Sequence, residues 1–343
     1  MRKTSRRRFL EESLAVTGSF MVYPYRPDPR EAERMARTPS RSPYPSYLSL
    51  SEDGRLKQRA DDLKEIYRNC SLCPRDCRVD RTQKQLGKCQ ATAKLRISSA
   101  FPHFGEERPL VGQKGSGTIF LSHCNLRCIY CQNYTISIEG EGVDIPDERA
   151  AAAMLKLQNF GCHNINWVTP THYLPSLINA LTLAVPMGLK IPIVYNTSGY
   201  EKLEVLEYLD GVVDIYLPDF KYWDSAMAGK FSSEAYNYPH YARLAFKEMF
   251  RQVGDLVVDG KGVAQRGLMV RHLVLPNRAA GTREVLRFIA EELSRTTYVN
   301  IMRQYRPEHR AREHKEIDRR LTGAEYAEAL AWAREFGLAN LDR

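Results

Sequence analysis

Three cysteines, Cys124, Cys128 and Cys131, stand C-x3-C-x2-C within GSGTIFLSHCNLRCIYCQN (115–133), on a short loop behind an apolar, strand-like run from Thr118 to Leu121. Thiolates this close can hold three corners of a [4Fe–4S] cubane. No fourth cysteine has the right local spacing, so one iron keeps an open position for a reactant, as an open zinc site keeps a place for water. A zinc knuckle would ask for a fourth Cys or His; His123 adjoins Cys124 and is poorly placed to close a tetrahedron. A second group, Cys70, Cys73, Cys77 and Cys89, reads C-x2-C-x3-C-x11-C, with turn-forming Pro74 and Gly87. Four thiolates so near in sequence can close around zinc or hold a second iron–sulfur cluster. Closed coordination leaves no place for a reactant, so this site is structural or electron-transferring, and spacing alone does not choose its metal. Cys162 has no partner spacing around it and reads as a buried apolar residue.

A frame must hold these thiols, and the chain after them alternates strand and helix. Helices are expected over Asp147 to Phe160, Leu174 to Met187, Glu201 to Leu209, Tyr241 to Val253 and Thr282 to Ser294. Between them fall the buried-strand runs Asn164 to Thr169, Pro192 to Tyr195, Val212 to Leu217 and Leu268 to Leu275, with Tyr298 to Met302 closing the series. With the strand before Cys124 this makes six units, enough for an α/β partial parallel barrel. A last helix starts at Thr322, with Glu325 completing a capping box. Ligands of parallel α/β folds bind where strands end. Polar residues gather there: Thr169-Pro170-Thr171-His172, Asn196-Thr197-Ser198-Gly199, Asp219 with Lys221, Arg271-His272 and Arg303-Gln304-Tyr305.

The remaining segments divide the chain. Residues 1–50 are a basic tail and Pro/Ser/Arg/Tyr-rich linker; 51–112 hold a helix (Leu56, Leu63, Ile66 and Tyr67 at helical spacing) and the cysteine-rich metal-binding segment. The barrel spans 113–306, and 307–343 form a helical extension. Within AFPHFGEERPLVGQKGSG (100–117), His103, Glu106 and Glu107 could reach the active site but read first as a solvated loop, and Gly115 and Gly117 allow a tight turn before the strand.

Of the formal net charge of +9, residues 1–42 carry +5, from ten Arg/Lys and five Asp/Glu. No basic, aromatic-interleaved stripe remains to suggest nucleic acid, and no apolar run reaches the length of a membrane span. Clustered cysteines in a chain of 343 residues point to metal binding in a reducing compartment, hence the cytoplasm. The alternative is export, because Ser5-Arg6-Arg7-Arg8-Phe9-Leu10 resembles a twin-arginine signal.

The C-x3-C-x2-C spacing, with Tyr130 before the last cysteine, resembles the radical S-adenosylmethionine (SAM) signature. From Cys70 to Tyr305, about two-thirds of the chain is similar to the PflX-type homologues of pyruvate formate-lyase activating enzyme, on C-x2-CPR-x-C, LQNFGCHNINWVTPTHY, IPIVYNTSGY, VVDIYLPDFKY and LMVRHLVLP. The resemblance implies a partial (β/α)6 barrel with SAM across its mouth, chelated at the open iron, and Tyr130 against the adenine. Asp219 and Lys221 resemble SAM-contacting residues, and Arg271 keeps its family place. Where activating enzymes carry Gly-Gly-Glu, this chain has Thr169-Pro170-Thr171-His172. Its hydroxyl and carbonyl oxygens can accept from the SAM ammonium, but His172 does not replace the negative charge. Asn196-Thr197-Ser198 stands in place of Asp-Thr-Asn.

The expected activity is reductive cleavage of SAM at the [4Fe–4S] cluster, giving a 5′-deoxyadenosyl radical that takes hydrogen from a substrate. The partners implied are an electron donor such as flavodoxin or ferredoxin, and a glycyl radical enzyme or another protein substrate; a peptide or small molecule as hydrogen donor is the close alternative. A non-catalytic iron–sulfur electron carrier or metal-binding scaffold is the alternative; it would not bind or cleave SAM.

Overall fold

Each of the six apolar runs expected as parallel strands is a strand in the computed structural model, which describes residues 45–342. The twin-arginine-like Ser5–Leu10 lies outside the described residues. The six are β2 (Ser116–Leu121), β4 (Ile165–Val168), β5 (Ile193–Thr197), β6 (Ile215–Pro218), β8 (Ala264–Leu273) and β9 (Tyr298–Met302). They pair in parallel in that order, β2 to β4, β5, β6, β8 and β9, as an open barrel wall.

The period of two along each strand sorts the side chains. Ile119, Trp167, Tyr195 and Tyr216 lie side by side across four strands. All are fully buried and belong to the main core beneath the outer helices. On the inner face, Val194, Leu217 and Met269 join Leu110 and Tyr298 in a small apolar cluster. It lies two residues upstream of the polar residues Asn196, Asp219 and Arg271, while Thr118 and Asn166, in register with Val194, bring buried polar groups into the same layer.

The helices that cover the outside include α5 (Asp147–Asn159), α6 (Leu174–Ala184), α9 (Tyr238–Val253) and α10 (Thr282–Phe288). Helix α9 starts three residues before the expected Tyr241, because Pro239 fits the first turn where no intrahelical N–H is needed. The expected helix over Glu201 to Leu209 is only α7 (Leu203–Leu206) with a 3-10 turn (Glu207–Leu209). Lys202 is extended at φ −94°, ψ 142°, and the buried Glu201 side chain is drawn inward instead. The capping box on the last helix (Gly323–Glu335) forms through Thr322 and Glu325, as its sequence predicts.

The loop expected over 100–117 is largely ordered secondary structure. Strand β1 (Leu95–His103) runs antiparallel to β2, and a short helix covers Arg108–Val111. Beyond Ile97 the outer side of β1 has no strand partner among the described residues, since β3 (Val143–Ile145) pairs only with Leu95, Arg96 and Ile97. That edge tolerates Pro102. Gly115 does take φ +84°, but Gly117 serves a close approach: a Cβ there would sit 2.5 Å from the Asn164 carbonyl oxygen. The end of the expected linker is helical as well (Tyr47–Glu52). It docks through the buried Tyr47, whose hydroxyl donates to Ile191 O at 2.8 Å, and through Ser46 N, which donates to Asp214 Oδ1 at 2.9 Å.

Candidate active site

The cysteine loop leaves β2 with His123 at φ +69° and Arg127 at φ +54°, two left-handed residues that curl it over the barrel mouth. Neighbouring elements hold it by backbone bonds: His123 N to Ile136 O, and Ile129 N to Phe231 O, each 2.9 Å. The Asn125 amide donates to Tyr200 O at 3.0 Å. Each sulfur also meets a donor. Leu126 N lies 3.4 Å from Cys124 Sγ, Ser232 Oγ 3.0 Å from Cys128 Sγ, and Ser137 Oγ 3.1 Å from Cys131 Sγ. Hydrogen bonds to ligand sulfurs are one of the means by which a protein sets a cluster's potential. Burial pushes the Cys124 thiol up to about 12, aided by the neighbouring Cys128, so loading with metal releases protons.

All three cysteines open into one cavity of about 230 Å³ at the C-terminal ends of the strands. Tyr130, Thr169, Asn196, Thr197, Asp219, Lys221 and Arg271 share that wall. Among the described residues, no three His, Cys, Asp or Glu side chains converge on a point for a single metal ion. Three thiols around a shared hollow suit a polynuclear cluster, whose ligands sit on separate irons.

The polar floor of the cavity is an ion network. Arg271 Nε donates to Asp219 Oδ1 at 2.6 Å, Arg271 Nη2 to Asn196 Oδ1 at 2.7 Å, and Lys221 Nζ to Asp219 Oδ2 at 2.8 Å. Burial alone would raise the Asp219 pKa; Arg271 and Lys221 outweigh it and hold the carboxyl below its usual range. Glu106 Oε2 completes the set at 3.2 Å from Arg271. The buried Glu107 accepts from Asn300 at 2.9 Å. Neither carboxylate sits in the solvated loop that sequence reasoning gave them. Tyr238 ties two strand ends together, its hydroxyl donating to Ser198 O at 2.9 Å and accepting from Lys221 N at 2.8 Å. Tyr130 is packed edge-on against Tyr222 and Tyr305, with centroids 6.2 and 5.8 Å away.

Two expected residues lie elsewhere. The Thr171 hydroxyl points to Glu201 Oε1 at 2.6 Å and does not line the cavity. His172 lines a separate, smaller hollow shared with Cys70, Cys73, Cys77, Cys89 and Arg81. Its Nε2 donates to Ser122 O at 2.8 Å and burial drops its pKa to about 3, so the ring is neutral. Arg81 is buried beside Cys70 Sγ at 4.0 Å and donates to the carbonyls of Ala91, His172 and Thr92; no carboxylate is among its partners. Glu201, Ser137 and Ser232 escaped sequence reasoning. For Glu201 a signal existed, a carboxylate four residues after Thr197.

The Radical SAM superfamily model matches residues 118–227. An uncharacterised protein of Methanocaldococcus jannaschii, MJ0674, is 33% identical over 292 residues, covering 82% of this chain and 79% of its own. Among solved structures, Streptococcus suis SuiB bound to S-adenosylmethionine is similar with a TM-score of 0.43 at 12% identity, over 64% of this chain and 47% of SuiB. Methylornithine synthase (PylB) gives 0.41 at 16%, over 64% of this chain and 61% of its own. The chain thus spans less than two thirds of either solved structure.

Proposed function

This chain belongs to the radical SAM superfamily, an enzyme family that cleaves SAM reductively at an iron–sulfur cluster, and from that premise we propose that it abstracts hydrogen from a carbon of a protein substrate. The sequence resemblance to activating enzymes supports a glycyl radical enzyme as that substrate. The observation that carries the SAM site is the convergence on one cavity of three thiols, the Asp219–Lys221–Arg271 network and Tyr130.

Cys124, Cys128 and Cys131 would hold the cluster, which when bound supplies the electron that splits SAM into methionine and a 5′-deoxyadenosyl radical. The chain's own residues do the rest. Asp219, Lys221 and Arg271 present fixed charges of both signs to a zwitterionic ligand, already oriented by one another. Tyr130 offers an apolar face to an adenine. Phe120, Val168, Leu273 and Met302 make the cavity wall apolar between these groups, which keeps water from a reactive ligand.

Four thiols lining one hollow with a buried guanidinium support an anionic metal–thiolate centre at Cys70, Cys73, Cys77 and Cys89: a second cluster, or zinc if the thiols draw together around the ion. A flavodoxin or ferredoxin would be the electron donor. The clustering of seven cysteines at two metal-binding spacings supports a reducing compartment, the cytoplasm. Among the described residues no helix is long and apolar enough to cross a membrane.

Anaerobic reconstitution with iron and sulfide, then dithionite and SAM, tests the reading. Formation of 5′-deoxyadenosine supports it, and an intact cluster that leaves SAM uncleaved favours the electron carrier. About four irons per chain leaves zinc at the second site, and about eight places a cluster there.

A further inference from the structure

Glu201 is a buried carboxylate with no cation partner among the described residues. Three hydroxyls serve it instead: Thr171 at 2.6 Å, Tyr195 at 3.5 Å, and Thr197 at short range. A buried carboxylate without a counter-ion is costly, and burial lifts its pKa to about 7. The three hydroxyls stand where each can donate to the carboxylate once it has lost its proton.

The direction of these bonds matters for the cavity next door. Thr197 forms part of the cavity wall. Its hydroxyl proton is committed to Glu201, so toward the cavity its oxygen can only accept. Gly199 N approaches one lone pair at 3.3 Å; the other remains for a ligand donor. The turn after β4 is fixed by the same carboxylate through Thr171, and Thr169 N is bonded to Asn196 O at 2.8 Å. Thr169 at φ +61° lines the cavity beside Thr197.

We propose that Glu201 is a positioning residue for a ligand ammonium, acting through the Thr197 hydroxyl to give this side of the cavity the negative pole that the α-amino group of SAM meets. The inference rests on the SAM reading above and names which part of the ligand this wall receives. The cation absent from the carboxylate's surroundings is the one that the ligand brings. An amide at this position would offer its own N–H to one threonine, turn that hydroxyl round, and present a proton where an acceptor is needed.

The test is equilibrium binding to the cluster-reconstituted full chain of three ligands: SAM, S-adenosylhomocysteine, and 5′-methylthioadenosine, which lacks the amino-acid end. Glu201→Gln should weaken the first two about tenfold, the scale of one charge-assisted hydrogen bond, and leave the third unchanged. Glu201→Asp should recover part of the loss. Thr197→Val should give the same split, and it decides the matter if the glutamine variant fails to fold. Unaltered SAM affinity in the folded variants, or a parallel loss of all three ligands, overturns the assignment. A wild-type protein that binds 5′-methylthioadenosine but neither amino-acid ligand also overturns it. One that binds none of the three overturns the SAM reading itself, and the inference with it.

Discussion

Arg75 Nε donates to the carbonyl oxygen of Asn125 at 2.9 Å, fastening the N-terminal cysteine segment to the loop between Cys124 and Cys128. The same guanidinium also reaches Leu126 O, Ser232 O and Ser233 O. It takes four backbone acceptors, and Ser232 is itself the donor to Cys128 Sγ. Removing the fork leaves several half-buried carbonyls unmet, a cost of roughly 3 kcal/mol. Arg75→Ala is expected to lower thermal stability and reduce iron bound at Cys124, Cys128 and Cys131. Full iron content with an unchanged melting temperature would show that the loop holds itself.

The two cysteine groups are separable by substitution. Cys124→Ala, Cys128→Ala or Cys131→Ala should abolish 5′-deoxyadenosine formation while metal at the other group remains. Cys73→Ala should lose that second metal and keep the absorbance and resonance of the first cluster, weakened only as far as Arg75 is disturbed. Metal analysis of the paired variants checks both halves.

At the cavity floor, Asp219→Ala strands Arg271 and Lys221 without their shared carboxylate. A broken buried pair costs about 3–5 kcal/mol, although here Glu106 and Asn196 keep part of Arg271 satisfied. Weaker SAM binding with an intact cluster is the expected result, measured by titration of the reconstituted protein. Unchanged affinity would remove Asp219 from the ligand site.

Glu201 sets a pH dependence of stability with a definite sign. Burial lifts its pKa to about 7 in the fold from an ordinary value of 4.5. Between these values the native state holds the extra proton, so stability falls as pH rises from about 4.5 to 7, by an amount on the order of 3 kcal/mol. Glu201→Gln should flatten that part of the curve and stand above the wild type at pH 8. Denaturant midpoints across pH, without ligand, measure it. A variant with the wild-type slope would mean that other groups govern it.

The barrel strands were legible because each is a short apolar run bounded by turns, and burial on both faces of a parallel sheet demands such runs. Strand β1 was not, since its outer edge is half open and carries Pro102 and an exposed Phe101. The cysteines declared themselves by spacing, which is local. His172 could not be placed from sequence, because it sits in a one-turn 3-10 segment after β4 (Thr171–Tyr173), where strand alternation no longer fixes direction. Glu201 depended on long-range convergence: its partners Thr171 and Thr197 come from the turn after β4 and the end of β5, which only the fold brings together.

Arg81 carries a consequence for how the molecule ages in air. A buried guanidinium keeps its proton, and among the described residues this one meets carbonyls, the Cys70 sulfur and the Tyr67 ring but no carboxylate. With a metal bound there, the thiolates would offset that cation; joining two of them as a disulfide would remove the offset and leave the guanidinium stranded in the interior. Oxygen would then work on this segment as a denaturant works on a core. The region around residues 70–90 would open to proteases first, and with it would go the bonds that Arg75 and Arg81 make to the cysteine loop and to the turn after β4.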